Sequence, residues 1–136
     1  MFTRLCGFVA LLFSFYALGG CGDNGPKAYR ISGEALFDGQ PIPHGDVLFT
    51  PDGSQQNSGA QGFANIKDGK FDTAVVGGKP LAGGPTVIRV TGLSGPGGKL
   101  LCEYEYKLDL PRADSTITIE VPAKAAPKKV GPSKEI

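Results

Sequence analysis

Apolar and polar residues alternate with a period of two along most of the chain, the pattern of β-strands that bury one face. The first such stretch covers residues 29–37, and its apolar side carries Tyr29, Ile31, Gly33, Ala35 and Phe37. The clearest covers residues 102–110, where Cys102, Tyr104, Tyr106, Leu108 and Leu110 alternate with Glu103, Glu105, Lys107 and Asp109. Shorter stretches predict further strands at 46–50, 60–67, 70–75, 86–91 and 116–121.

Turn residues separate these stretches. The Asp68-Gly69 pair between two of them is typical of a type I′ hairpin, in which both central residues take a positive φ. The chain contains 21 glycines and 11 prolines, and no apolar stripe of helical period persists beyond its first residues. Seven short strands with turns between them predict an all-β fold, a seven-stranded β-sandwich over residues 29–122.

The N-terminal segment has a different pattern. Arg4 precedes an apolar run over residues 5–18, which is shorter than the roughly 20 residues of a spanning helix but typical of a secretory signal. The run ends in Leu18-Gly19-Gly20-Cys21, which resembles a bacterial lipobox. That resemblance implies cleavage between Gly20 and Cys21, with diacylglycerol on the Cys21 thiol and a further acyl chain, such as palmitate, on the freed amine. The alternatives are an ordinary signal peptide with an incidental Cys21 and a short uncleaved anchor.

The chain therefore divides into four predicted parts. A lipoprotein signal peptide covers residues 1–20, and a lipidated N-terminus with a flexible tether covers 21–28. The β-domain covers 29–122, and a Lys- and Pro-rich tail, predicted to be disordered, covers 123–136. The whole chain has a formal net charge of +1, which argues against nucleic acid as a partner.

Three cysteines are present, and only one is expected to keep a free thiol. Cys6 leaves with the signal peptide and Cys21 is acylated, so Cys102 has no partner for an intramolecular disulfide. It either pairs between chains or is buried, and its place on the apolar side of a strand favours a buried residue of the core.

Residues 31–51 resemble the opening of carboxypeptidase regulatory-like domains, with an early glycine, an Asp-Gly turn, a proline-led loop and a V-x-F strand ending at proline. Asp68-Gly69-Lys70-Phe71 is similar to a hairpin of the same family. The resemblance implies a prealbumin-like (transthyretin-like) sandwich. With the lipobox, the chain resembles small lipoproteins of bacteria with Gram-negative-type envelopes. The Gly92–Gly98 segment departs from the family pattern, which leaves the strand order around residues 86–100 open.

Little in the chain points to catalysis. One branch of transthyretin-like proteins hydrolyses 5-hydroxyisourate with several histidines and a C-terminal Tyr-Arg-Gly-Ser, whereas this chain has a single histidine and ends in Lys134-Glu135-Ile136. His44 is predicted to be an exposed turn residue. Turn formation explains most acidic residues near glycines, so they are weak calcium candidates: Asp38, Asp46, Asp52 and Asp68. We expect no catalytic residue, cofactor or metal.

The sequence thus predicts an exported, non-enzymatic envelope lipoprotein, held by acylated Cys21 on a periplasmic membrane face or the cell surface. Its β-domain is expected to serve as a structural module or to contact envelope protein or polysaccharide. The alternative is a lipid-anchored module that binds carbohydrate or another small ligand.

Overall fold

The computed structural model describes residues 27–127, and this part of the chain is all-β. Two short 3-10 turns, Gly53–Gln55 and Ala123–Ala125, accompany the strands. The strands are β1 (Ile31–Phe37), β2 (Gln40–Pro41), β3 (His44–Pro51), β4 (Gly62–Lys67), β5 (Lys70–Asp72), β6 (Gly84–Leu93), β7 (Leu100–Leu110) and β8 (Ser115–Val121).

All eight strands belong to one hydrogen-bonded sheet with the order β2-β1-β5-β4-β3-β6-β7, and β8 pairs with β1. The pairing is antiparallel throughout, except that β1 and β8 run parallel over their full lengths. The sheet is strongly curled. Phe49 on β3 and Phe71 on β5 lie two strands apart, yet their ring centroids are only 6.1 Å from each other.

Each of the seven predicted strands has an observed counterpart, and β2 is additional. The differences lie at the ends of the strands. β5 stops at Asp72 rather than Val75, β6 runs to Leu93 rather than Thr91, and β7 begins at Leu100 rather than Cys102. The open question of strand order is answered, because β6 lies between β3 and β7.

Two of the three Asp-Gly pairs form two-residue hairpin turns, and the third, Asp52-Gly53, begins the first 3-10 turn. Asp68 and Gly69 have φ angles of 51° and 74°, as the type I′ prediction requires. Asp38 and Gly39, between β1 and β2, have φ angles of 49° and 76°. The Gly69 turn is also anchored, because its N–H donates to the Ile42 carbonyl at 2.8 Å and its carbonyl accepts from the Ala35 N–H at 2.8 Å.

The core lies inside the curled sheet and contains the apolar residues that alternation predicts, among them Ile31, Ala35, Val47 and Phe49. Two core residues come from predicted loops instead. Ile42 lies between β2 and β3 and is 0% exposed, and Leu81 lies between β5 and β6 and is 2% exposed. Both connections therefore cover the core rather than merely joining strands.

Two glycines allow neighbouring backbones to approach closely. A Cβ atom on Gly33 of β1 would stand 1.7 Å from the Ile117 carbonyl oxygen of β8. One on Gly45 of β3 would stand 2.0 Å from the Thr91 carbonyl oxygen of β6. Their φ angles are 151° and 150°, which also disfavours a side chain. These two glycines are therefore required by the β1–β8 and β3–β6 contacts.

Two details correct the sequence prediction. His44 is not an exposed turn residue, because it begins β3, pairs with Lys67 and Leu93 and is half-buried. The folded part extends beyond residue 122, since Ala123–Ala125 form a turn and Ala125 packs against the core. Residues 128–136, the rest of the predicted tail, lie outside the described residues.

Candidate functional site

The predicted lipid-attachment residue Cys21 and the cleavage position at Gly20 lie outside the described residues, so the structure is informative only about where the chain enters the domain. The Tyr29 N–H donates to the Leu81 carbonyl at 2.7 Å, and the Leu81 N–H donates back at 3.2 Å. Arg30 forms a bidentate ion pair with Asp72, with its Nε 3.0 Å from Oδ1. The entering chain is thus fixed against the segment that follows β5.

A shallow groove of about 590 Å³ lies beside this entry point. Ser32, Asn65 and Thr116 line it from the face of the sheet that points away from the core. Val75 and Val76 form one side, and they are 52% and 101% exposed. These two adjacent valines are the exposed large hydrophobic residues beside the groove.

Charged residues border the groove. Glu34 pairs in register with Lys70, and Lys70 pairs with Lys67, so one carboxylate and two ammonium groups cross β1, β5 and β4 in a row. Asp72 also lines the groove, but Arg30 and the Ala74 N–H bond its carboxylate and lower its pKa. With Asp72 paired to Arg30, the remaining charged residues of the groove are Glu34, Lys67 and Lys70, and their sum is positive.

A second exposed feature is the outer edge of β7. This strand pairs with β6 along one edge, and no strand within residues 27–127 pairs along the other. Its outward side chains are all exposed, as the alternation predicts: Glu103, Glu105, Lys107 and Asp109. An eleven-residue strand with a free edge offers backbone donors and acceptors to another chain.

Two of these outward side chains are tied to neighbouring residues. The Arg89 guanidinium donates to Glu105 Oε2 from Nε at 3.0 Å and from Nη2 at 2.8 Å. Lys107 Nζ lies 3.1 Å from Oδ2 of Asp52, whose residue is only 5% exposed. Glu103 and Asp109 are the carboxylates of this row that the structure leaves facing solvent.

Asp52 is held by several donors at the start of the 3-10 turn. Ser54 donates to Oδ1 from its hydroxyl at 2.5 Å and from its backbone N–H at 3.0 Å. These bonds, together with Lys107, lower the pKa of Asp52 to about 2. Asp52 caps a turn and links the β3–β4 connection to β7 through Lys107, so its burial has a structural explanation without a metal ion.

The other three calcium candidates do not converge with Asp52. Asp38 and Asp68 occupy positive-φ positions of separate turns, and Asp46 pairs with Asn65 and Thr91 within the sheet. Residues 27–127 contain no cluster of three or more His, Cys, Asp or Glu side chains suited to a metal ion.

Cys102 is 0% exposed and belongs to the core, as its position in the alternation predicts. It faces Gly92 of β6, where an added Cβ would lie 2.6 Å from its Sγ and 3.1 Å from Ile42 Cγ2. Burial raises the pKa of the Cys102 thiol, so it is protonated at neutral pH.

The geometry defines an all-β domain with two exposed features, a groove beside its entry point and a free edge on β7. A scan against protein-family models finds no match, and searches of the curated proteins and of the solved structures find none either. Within the described range, no helix has the length and apolarity needed to cross a bilayer.

Sequence reasoning missed the exposed valines, because it placed Val75 inside a strand. The signal was present, since Gly77-Gly78 follow immediately and favour a turn over a continued strand. In the structure the Gly78 N–H donates to the Val75 carbonyl at 2.8 Å and closes that turn.

Proposed function

We propose that this chain is an exported lipoprotein of a cell envelope, anchored by acylated Cys21, whose β-domain is a non-enzymatic interaction module. The Leu18-Gly19-Gly20-Cys21 motif is the observation that carries this proposal. The short distance along the chain from Cys21 to Tyr29, where backbone bonds to Leu81 begin, is consistent with it. A domain joined so closely to a lipidated residue stays near the membrane that holds it.

We also propose that the curled sheet is a seven-stranded prealbumin-like sandwich, with β8, β1 and β5 in one layer, β3, β6 and β7 in the other, and β4 between them. The Phe49–Phe71 contact across the core supports two facing layers. So do the residues behind the family resemblance, because Gly33 and Gly45 lie at close backbone contacts and Asp68-Gly69 forms the hairpin. These positions have a structural reason to be glycine.

A binding role fits the described side chains better than catalysis does. The carboxylates of Asp52, Asp72 and Glu105 are engaged in ion pairs with Lys107, Arg30 and Arg89 respectively. The chain's single histidine, His44, lies half-buried at the start of β3, between Lys67 and Leu93. Neither arrangement pairs a nucleophile with a base.

The partner we propose is an extended segment of an envelope protein that adds a strand to the edge of β7. Backbone groups along this edge supply affinity, and the outward Glu103 and Asp109 favour a segment with basic side chains. Carbohydrate sites usually present an exposed aromatic face, whereas Tyr104 and Tyr106 are half-buried, stack on each other with centroids 5.6 Å apart and pack against the core. A protein partner is therefore favoured over a sugar.

Metabolic labelling with a clickable palmitate tests the anchor. We expect the wild-type chain and the Cys6→Ser variant to be labelled and found with membranes, because Cys6 belongs to the removed signal. The Cys21→Ser variant should lose both the label and the mature size. Equal labelling of all three chains would overturn the proposal.

Site-specific photo-crosslinking tests the edge of β7. A photoreactive side chain at Glu103 should yield a discrete adduct in intact cells, and one at Glu120 on the outer face of β8 serves as the matched control. A double variant that reverses charge, Glu103→Lys with Asp109→Lys, should weaken the adduct formed from a neighbouring exposed position, Leu100. Adducts of equal yield from Glu103 and Glu120 would argue against the β7 edge as the contact.

A further inference from the structure

We propose that the end of the domain that carries Val75 and Val76 rests on an anionic lipid surface, so that the anchored domain has a fixed orientation. This inference rests on the proposed anchoring at Cys21 and adds a second, non-covalent membrane contact. We call the surface formed by Val75, Val76, Lys79, Lys67 and Lys70 the valine face.

Val75 and Val76 lie at the end of the sheet where the chain enters the domain, and Lys67 and Lys70 lie farther along the same groove, beside the Asp68-Gly69 turn. The Thr73 N–H donates to the Ile31 carbonyl at 2.9 Å, and the Ile31 N–H donates to Thr73 Oγ1 at 2.9 Å. These bonds and the Arg30–Asp72 ion pair join the first residues of β1 to the segment that leads directly into Val75. The anchored N-terminus and the exposed valines therefore face the same side of the molecule.

The length of chain between lipid and domain limits how far this end can move from the membrane. Tyr29 is the eighth residue after Cys21, and eight fully extended residues span at most about 29 Å. Every other part of the sheet is farther along the chain from the lipid. A weak contact at the valine face is then effectively intramolecular, and its local concentration is high.

The chemistry of the face matches the boundary between lipid headgroups and acyl chains. Val76 is fully exposed and Val75 half-exposed, so both can be buried in the boundary without disturbing the core. Lys79 follows the two valines in sequence and is exposed. Lys67 and Lys70 line the same groove as Val75 and Val76. Aliphatic side chains flanked by lysines are typical of peripheral contacts with anionic lipid.

Acidic residues near this end offset much of the positive charge but leave the groove itself positive. Glu34 and Asp72 are the acidic residues that line it, whereas Asp68, in the turn between Lys67 and Lys70, does not. Asp72 is neutralised by Arg30, and Glu34 faces both Lys70 and, one strand on, Lys67. Asp114 accepts a hydrogen bond at 2.8 Å from the Arg30 N–H and lies near the same guanidinium. A lipid surface is therefore favoured over a basic protein as the occupant of the valine face.

Tryptophan fluorescence can test this contact, because the chain contains no tryptophan. The full-length chain is processed in cells and purified with its lipid, and the variants Val76→Trp and Leu100→Trp are reconstituted into vesicles that contain brominated phospholipid. Leu100 is a matched control, since it is 40% exposed but lies at the start of β7, four strands from β5 across the sheet. Flotation of the vesicles measures anchoring independently of the fluorescence.

In vesicles with phosphatidylglycerol we expect at least about threefold stronger quenching by brominated lipid at position 76 than at position 100, with a blue-shifted emission only at 76. Replacing phosphatidylglycerol by phosphatidylcholine should reduce quenching at 76 about twofold or more, because the lysines lose their counter-charge. Flotation of both variants with equal quenching would overturn this inference and leave the anchor intact. Equal quenching at 76 in the two lipid mixtures would also contradict it, and failure of both variants to float would overturn the anchor and this inference together.

Discussion

At the scale of single residues, the position of Cys102 indicates that this cysteine packs in the core and does not act as a reactive thiol. Its thiol lies in the core against Gly92 and Ile42, and burial raises its pKa. The thiolate is the reactive form, so a buried and protonated thiol reacts only when the structure opens. The residue is thus expected to behave as a small apolar side chain.

We expect a thiol reagent to label Cys102 at least about tenfold more slowly in native buffer than in urea, because labelling requires opening of the structure. Cys102→Ala should reduce the free energy of unfolding by about 1 kcal/mol, since only a small buried group is lost. A chain with Cys6→Ser and Cys21→Ser isolates this thiol for the kinetic measurement. Equally fast labelling in both solvents would show that the thiol is not shielded.

The contribution of Asp52 to the stability of the fold is expected to depend on pH. Its pKa is lowered to about 2 in the folded protein, by Ser54 first and then by Lys107, against about 3.9 in an unfolded chain. A lowered pKa means that the ionised carboxylate stabilises the fold above pH 4 and that this contribution disappears as the pH falls to 2.

We therefore expect Asp52→Asn to lower the urea midpoint at pH 7 and to have a progressively smaller effect between pH 4 and pH 2. Asp109→Asn is the matched control, because Asp109 is an exposed carboxylate on the same edge of the domain. Urea melts of the three proteins across this pH range provide the measurement. A destabilisation that stays constant down to pH 2 would exclude ionisation of Asp52 as its cause.

At the scale of elements, alternation predicts which residues form strands but not how connections fold. It identifies seven strands, the Asp68-Gly69 hairpin and the buried face of β8, since each depends on neighbours in sequence. Ile42 and Leu81 lie in proline- and glycine-rich connections without periodicity, so their burial depends on long-range packing. The pattern predicts a strand as far as Val75 because β-propensity there outweighs the turn signal of Gly77-Gly78, whereas in the structure β5 has no pairing partner beyond Asp72.

The Asp68-Gly69 turn gives the element-scale prediction. Gly69→Val should lower the free energy of unfolding by about 1–3 kcal/mol, because a β-branched residue resists a φ of 74°. Its Cβ would also stand 2.5 Å from Pro41 Cβ. Asp68→Asn should be nearly neutral, since asparagine adopts a φ near 51° readily. An unchanged urea midpoint for Gly69→Val would contradict the strain that the turn imposes.

At the scale of the whole molecule, the parallel pairing of β1 with β8 joins residues about 84 positions apart, as in Ser32 with Thr116. No local pattern encodes such a contact, which is why the strand order could not be obtained from the sequence. The two candidate surfaces likewise depend on long-range pairing rather than on a local pattern. The free edge of β7 and the valine face exist only because the sheet ends where it does and because the entering chain meets Thr73.

The same architecture divides the proposed roles between different parts of the domain. The valine face, whose two valines lie where the chain enters, is assigned to the lipid surface, whereas the outer edge of β7 is assigned to a protein partner. Both assignments depend on the chain being held at Cys21. The anchor is therefore the central claim.

Mass spectrometry of the intact protein purified from membranes tests that claim most directly. We predict a chain that begins at Cys21, with the mass of residues 21–136 increased by a diacylglycerol group and, where the amine is acylated, by one further acyl chain. A chain that retains residues 1–20, or one cleaved elsewhere with an unmodified Cys21, would contradict the account.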